Sequence, residues 1–319
     1  MIRPFLVLMA LAPAQAGAFD IGLPVDCALG ETCFIQQYAD HDPGPAATDF
    51  TCGPLSYDGH DGTDFALPTT AAMQAGVAVL AAAPGVVLGL RDGMADGPPG
   101  PEVDGKECGN GVLIRHEGDW QTQYCHMRQG SIAVQKGDRV TTGTPLGLVG
   151  QSGMAEFPHL HLTVRRGEVE VDPFAPDAPA TCGAGSSGLW TAPPPYAPGG
   201  LIGAGFAAEV PSFDAIKAGL PPPALTAEAP ALVVWAHVFG ARAGDALVFD
   251  ITGPQGEVLT DRVALERTQA RLFRAVGRKL RAEAWPEGTY TGTVQMMRGA
   301  EVLGHRTVTL DIGPPHTTP

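Results

Sequence analysis

Residues 159–165 read His159-Leu160-His161-Leu162-Thr163-Val164-Arg165. Apolar and polar side chains alternate with a period of two, the pattern of a half-buried β-strand. Leu160, Leu162 and Val164 therefore face a core, while His159, His161, Thr163 and Arg165 share the opposite face. Two imidazoles are thus held together on one rigid polar surface. The neighbouring text is of the same kind: VAVLAAAPGVVLGL from Val77, GVLIRHEGDWQTQYCHM from Gly111 and LGLVGQSG from Leu146 are short apolar runs bounded by Gly and Pro. Runs of that length are strands, and His116-Glu117-Gly118-Asp119 between two of them reads as a hairpin turn that leaves His116 on the surface. The expectation is a compact all-β domain over residues 57–175. A turn-rich segment, 19–56, precedes it, and its cluster Asp40-His41-Asp42 reads as a solvated loop.

The rest of the chain extends this all-β reading. With 319 residues, 42 Gly, 30 Pro and only 17% charged side chains, two domains of short strands are expected and a helical bundle is not. Residues 176–230, with Pro193-Pro194-Pro195 and Pro221-Pro222-Pro223, read as a Pro-rich linker with one short helix near Phe213 to Ala218. From Leu232 to Ile312 strand-like runs return: LVVWAHVF, ALVFDITG, QARLFRAV, TYTGTVQMM and VLGHRTVTLDI, with the turn Gly253-Pro254-Gln255-Gly256. They predict a small immunoglobulin-like β-sandwich over 231–314, a candidate surface for a protein partner. His237 and His305 are lone histidines within it and receive no chemistry. The net charge of −14 makes the chain a poor match to phosphate backbones, which excludes nucleic acid as a partner.

Residues 1–18 read MIRPFLVLMALAPAQAGA: a cation at Arg3, an apolar run from Phe5 to Ala12, then small residues at Ala14, Ala16 and Ala18. That is a secretory signal peptide cleaved after Ala16 or Ala18, and no stretch is long enough to span a membrane. An exported protein, periplasmic or secreted, is expected. Six cysteines follow, at 27, 33, 52, 108, 125 and 182. An even number in an oxidising compartment points to disulfides rather than to a thiolate zinc site. Cys27 with Cys33 would form a local loop, and Cys108 with Cys125 would close a hairpin. Fifteen pairings remain formally open to six cysteines.

The chemistry lies in the histidines. His60-Asp61-Gly62-Thr63-Asp64 brackets a glycine, which permits a sharp bend, with an imidazole and a carboxylate. Two imidazoles and one carboxylate make a three-ligand set for Zn²⁺ with a fourth position left for water, as in catalytic rather than structural zinc sites. Tyr124-Cys125-His126 adds a third element, and strand alternation would put Tyr124 and His126 on one face and Cys125 on the other. No His-Glu-x-x-His occurs, so a helix-borne glutamate base is excluded.

In this order, His60/Asp64, Tyr124/His126 and His159/His161 resemble the motifs of the lysostaphin-type, or LytM-type, zinc metalloendopeptidases, which cut peptide cross-links of bacterial peptidoglycan. Gly109-Asn110-Gly111-Val112, Lys136-Gly137-Asp138-Arg139-Val140 and Gly147-Leu148-Val149-Gly150 agree with it, over residues 57–172. The resemblance implies a two-layer β peptidase fold of the duplicated-hybrid-motif, barrel-sandwich type, with an open groove over the metal. It implies His60, Asp64 and His161 as zinc ligands and His126 and His159 as catalytic histidines. The implied activity is hydrolysis of peptidoglycan stem or bridge peptides. Residues 92–108 stand out as an insertion beside the groove, and Cys125 stands where many members have a small residue. A non-catalytic scaffold or amidase activator of the same fold is the alternative, disfavoured because all five positions are filled. A cytoplasmic phosphocarrier is disfavoured by the signal peptide.

Overall fold

The structure, a computed structural model, describes residues 19–178, 181–183, 188–219, 221 and 225–313; the signal peptide expected at 1–18 lies outside the described residues. The first β unit contains β1 (Phe34–Gln37), β2 (Thr63–Ala66), β3 (Ala78–Leu80), β4 (Gly85–Arg91), β5 (Asn110–Arg115), β6 (Trp120–Met127), β7 (Arg139–Val140), β8 (Pro145–Leu148), β9 (His159–Arg166) and β10 (Val169–Glu170). The main sheet runs β1-β2-β9-β6-β5-β4-β7, with β10 attached to β9, and all its pairings are antiparallel. A second layer, the β3-β8 pair, packs Val79 and Leu146 onto the same core. Helix α1 (Thr70–Ala75) starts at Thr69, whose hydroxyl accepts from the Ala72 amide.

The strand at 159–165 behaves as its alternation dictates. Leu160, Leu162 and Val164 are buried in the core with Phe65, Val112, Ile114 and Tyr124. Each such aliphatic side chain removed from water contributes roughly 1.5–3 kcal/mol, so β9 is centrally fixed before any polar contact is counted. The hairpin turn expected at His116–Asp119 is present, with Gly118 (φ 72°) and Asp119 (φ 68°) both in the left-handed region.

Two polar readings are corrected. The cluster at 40–42 is not a solvated loop: His41 is buried, its Nε2 lies 2.7 Å from Asp172 Oδ2, and its Nδ1 lies 3.1 Å from the Thr181 carbonyl. Asp40 accepts from the amides of Asp42, Thr48 and Gly59. The partner of His41 is 131 residues away, so nothing local announces it. His116 is likewise buried, between the Pro84 carbonyl and the Thr122 hydroxyl, both at 2.8 Å, because Phe19 and Trp120 stack over the turn. Disulfides join Cys27–Cys33 and Cys108–Cys125, the two pairs suggested by proximity in sequence, and Cys52–Cys182.

The second unit contains β11 (Gly200–Ala207), α2 (Phe213–Ala218), β12 (Ala231–Ala241), β13 (Ala246–Gly253), β14 (Gly256–Ala264), β15 (Gln269–Lys279), β16 (Gly288–Arg298) and β17 (Glu301–Ile312). They form two sheets, β11-β12-β15 and β14-β13-β16-β17. Leu232, Val234, Ala236 and Val238 meet Leu247, Phe249, Ile251 and Val294 between them. Helix α2 lies where the sequence predicts it, capped by the Ser212 hydroxyl. The linker reading of 176–230 needs correction, since β11 pairs along β12 and Trp190 joins the first core. The run GLIGAGFA lacks β-branched weight because its glycines make room: a Cβ on Gly205 would come within 2.7 Å of the Trp235 indole. Strand β14 was also missed by the hydrophobic pattern; its side chains are exposed or only partly buried.

The outward face of β12 also finds partners. Phe239, with Ile202 of β11, packs on Phe34, Ala66 and Phe157 of the first unit, forming a separate small cluster. Among the described residues, no helix is long and apolar enough to cross a membrane.

Candidate metal centre

Three side chains converge where β2 meets β9. Asp64 sits directly opposite His161 in the β2–β9 register, and His60 comes from the turn just before β2. His60 Nε2 is 3.2 Å from His161 Nδ1 and 3.3 Å from Asp64 Oδ1, and His161 Nδ1 is 2.9 Å from the same oxygen. All three residues are buried. A tetrahedral zinc with bonds of ~2.0 Å sets its ligand atoms about 3.3 Å apart, close to this spacing.

Hydrogen bonding on the far side of each ring fixes which nitrogen is free. His60 Nδ1–H donates to the Tyr38 carbonyl at 2.7 Å. His161 Nε2–H is shared between Asp61 Oδ1 and Thr163 Oγ1, each at 3.0 Å. With both rings neutral, His60 Nε2, His161 Nδ1 and Asp64 Oδ1 are three lone-pair atoms facing one another. Such a cluster is stable only with positive charge inside it, either a proton on His161 or a metal cation. The acid–base balance agrees. Burial opposes charge on His161, but its hydrogen bonds to Asp61 and Asp64 outweigh that and push its imidazole up to about 9. Burial likewise opposes the Asp64 carboxylate, yet His60, His159 and His161 carry it well below the usual carboxylate range. The donor set and its outer partners therefore fit a divalent cation of the zinc type.

Gly62 serves this site for a reason other than a bend. A Cβ there would come within 2.6 Å of both His161 Nε2 and the Leu162 carbonyl, so only glycine lets the loop lie against the His161 ring.

His126 and His159 flank the cluster. His126 has φ 61°, in the left-handed region, and Gly111 is the one residue between the paired positions Asn110–Met127 and Val112–Tyr124, so β6 bulges by one residue at Cys125 and His126. This corrects the simple alternation. Tyr124 goes into the core, accepting the Ala82 amide on its hydroxyl at 2.7 Å, while Cys125 and His126 both line the groove. His126 Nδ1–H donates to the Ser152 carbonyl and His159 Nδ1–H to the Phe157 carbonyl, both at 2.8 Å. Their Nε2 atoms are left as acceptors, His159 Nε2 lying 3.5 Å from Asp64 Oδ1. The ring centroids are 4.5 Å apart. Burial first, and for His126 the neighbouring histidines, hold both imidazoles below their ordinary value, so both are neutral at pH 7.

The groove has a volume of about 310 Å³, and its walls include the exposed Tyr57 and Met154 with Gln123, Thr163, Arg165 and Glu107. The 92–108 segment borders it. Asp92 and Asp96 accept amides of Gly130, Ile132, Gln129 and Gln151, and Cys108 is bonded to Cys125. The structure thus brings together all five residues singled out from the sequence. Asp61, Thr163 and the Tyr38 carbonyl were missed as partners of the His60 and His161 rings. Thr163 shares a face with His161 in the alternation, so it alone had a local signal.

Residues 58–173 match peptidase family M23. Peptidoglycan DD-endopeptidase ShyA of Vibrio cholerae is 34% identical over 102 residues, 32% of this chain and 19% of that protein. An uncharacterized metalloprotease of Buchnera aphidicola is 30% identical over 105 residues, 33% of this chain and 23% of that protein. The crystal structure of a zinc containing peptidase from Vibrio cholerae is 26% identical with a TM-score of 0.29, covering 44% of this chain and 39% of that one. The chain thus spans about a fifth of the length of the curated relatives it matches. From the motif order, the matched segment and the all-β architecture, residues 58–173 are a peptidase family M23 domain.

Proposed function

We propose that this chain is an exported zinc metalloendopeptidase that hydrolyses stem or cross-link peptides of peptidoglycan. The observation that carries this reading is the convergence of three lone-pair atoms, of His60, Asp64 and His161, beside two neutral imidazoles at an open groove. His60, Asp64 and His161 would hold the ion. The chemistry available from zinc so held is Lewis-acid polarisation of a carbonyl and acidification of water. The protein's own groups do the rest. His126 and His159 keep their Nδ1 protons on backbone carbonyls and present Nε2 lone pairs, so either can accept a proton from water. Once protonated, the same Nε2–H donates to an oxyanion or to the departing amine. Tyr57 and Met154 offer apolar walls to a peptide, and Arg165 is placed to meet a carboxylate.

Export is supported by three disulfides and by the leader sequence at 1–18. The peptidoglycan substrate is supported by the matched endopeptidase ShyA. The test is muropeptide analysis of sacculi digested with the zinc-loaded protein. New peptide ends are expected; His126→Ala and His159→Ala should each lose about 10²- to 10⁴-fold in rate while retaining zinc. New reducing sugar ends, or an active His126→Ala, His159→Ala double variant, would refute the proposal.

A further inference from the structure

The outer face of the β11-β12-β15 sheet reaches the catalytic histidines. Phe239 packs with Phe34, Ala66 and Phe157, and Ala66 is the residue paired with His159 across β2 and β9. Arg271, opposite Phe239 in the β12–β15 register, holds its guanidinium 4.8 Å from the centroid of the Phe157 ring. The Phe157 ring lies 4.6 Å from the His159 ring, and the Phe157 carbonyl accepts His159 Nδ1–H at 2.8 Å. A contact chain therefore runs from Arg271 in the second domain through Phe157 to His159.

Arg271 has the character of a group kept for that contact. Its Nε is buried without a hydrogen-bond partner, and among the described residues no carboxylate pairs with it. A desolvated guanidinium over an aromatic face is attracted to the ring quadrupole. Phe157 needs such a hold, because it follows exposed Met154 and Glu156 in a segment without regular structure. If its carbonyl swings away, the Nδ1–H tautomer of His159 loses its acceptor, and Nε2 is no longer kept as the lone-pair atom beside Asp64.

We propose that Arg271 is a positioning residue for His159, acting through Phe157, so that the second domain completes the active site instead of merely adjoining it. The inference rests on the reading of His159 as a proton-transfer group. It is distinct from that reading, because the tautomer of His159 can be measured without turnover.

The test compares full-length, zinc-loaded Arg271→Ala and Arg271→Lys with Arg278→Ala, a control on the same strand whose guanidinium donates to the Val258 carbonyl. In Arg271→Ala, kcat on a purified muropeptide should fall about 10-fold with KM and zinc content unchanged, since a misplacement of ~1 Å costs about 10²-fold and a loosened Phe157 carbonyl displaces the ring by less. The ¹⁵N shifts of His159 should move from a pure Nδ1–H tautomer to a mixture. Arg271→Lys should recover most of both. Should Arg271→Ala not fold, Phe157→Leu, which keeps apolar bulk and removes the ring face, carries the same comparison. An Arg271→Ala variant that matches the control in kcat and tautomer overturns the proposal, as does a lowered kcat with an unchanged tautomer. A wild-type protein that cleaves no peptidoglycan would remove the function reading, and the tautomer comparison would then decide the positioning alone.

Discussion

Asp61→Asn is the most informative single change at the proposed metal centre. Asp61 Oδ1 accepts His161 Nε2–H at 3.0 Å, while the opposite nitrogen of that ring faces the ligand cluster. A carboxylate in this place raises the basicity of the imidazole and holds its orientation; loss of such partners costs 10- to 100-fold in metal affinity. Two features place this case near the lower end. Asparagine keeps an acceptor oxygen, and Thr163 Oγ1, also at 3.0 Å, remains as a second partner. The expected loss is about 10-fold in zinc affinity, or ~1.4 kcal/mol. The Asp61 side chain is 37% exposed and shares its charge with Arg165 at 3.4 Å, so solvent screening also keeps the effect moderate. Titration against a chelator of known affinity measures it directly. Affinity unchanged in both Asp61→Asn and an Asp61→Asn, Thr163→Val double variant would falsify the claim that these residues orient the ligand ring. Complete loss of zinc in Asp61→Asn alone would instead make Asp61 a ligand.

Three further expectations follow from the same geometry. With the His161 imidazole pushed up to about 9, its ring is protonated at pH 7, so zinc must displace a proton from Nδ1. Calorimetry in buffers of different ionisation heat should count about one proton released per zinc, with affinity rising about tenfold per pH unit below that value; no release at pH 7 contradicts His161 as a ligand. Because burial holds His126 and His159 below the ordinary imidazole value, the neutral, proton-accepting form persists into mildly acid solution. The rate should therefore rise with pH through a value below 6.5 and be level across neutrality; an acid limb centred above 7 would be inconsistent with either group as the base. Finally, Cys108→Ser, Cys125→Ser opens a cross-link spanning 17 residues beside His126. Loop-closure entropy predicts a loss of ~3 kcal/mol in denaturant unfolding, and an unchanged midpoint would show that the hydrogen bonds of the 92–108 segment, those of Asp92, Asp96 and Met94 among them, hold it without the cross-link.

Much of the site was legible because its residues obey local rules. The period-two alternation of 159–165 declared both the core side and the histidine side of β9, and the spacing of His60 and Asp64 about a glycine marked an imidazole and a carboxylate aimed at one point, although Gly62 is needed for its close approach to the His161 ring and not for a bend. The rest was hidden for identifiable reasons. His126 reaches the groove only through a bulge and a left-handed φ, which alternation places on the wrong face. The glycines of β11 read as linker because the indole they accommodate belongs to Trp235, a residue of the next strand. His41 and His116 read as surface because their partners are carbonyls, a hydroxyl and a carboxylate supplied by other segments.

The sequence by itself determined the all-β class, the two clusters of strands and the cysteine economy, since periodicity, turn composition and residue type act over a few positions; the five candidate site residues came from their spacing together with the family resemblance. Only the tertiary structure decided which atoms meet. It turned His161 Nδ1 toward His60 and Asp64, gave Nε2 to Asp61, and laid the outer face of the second domain against Phe157 and hence His159. Those contacts join residues far apart in the chain, and a hydrogen bond or a ring contact depends on ångström-scale placement that no local pattern encodes.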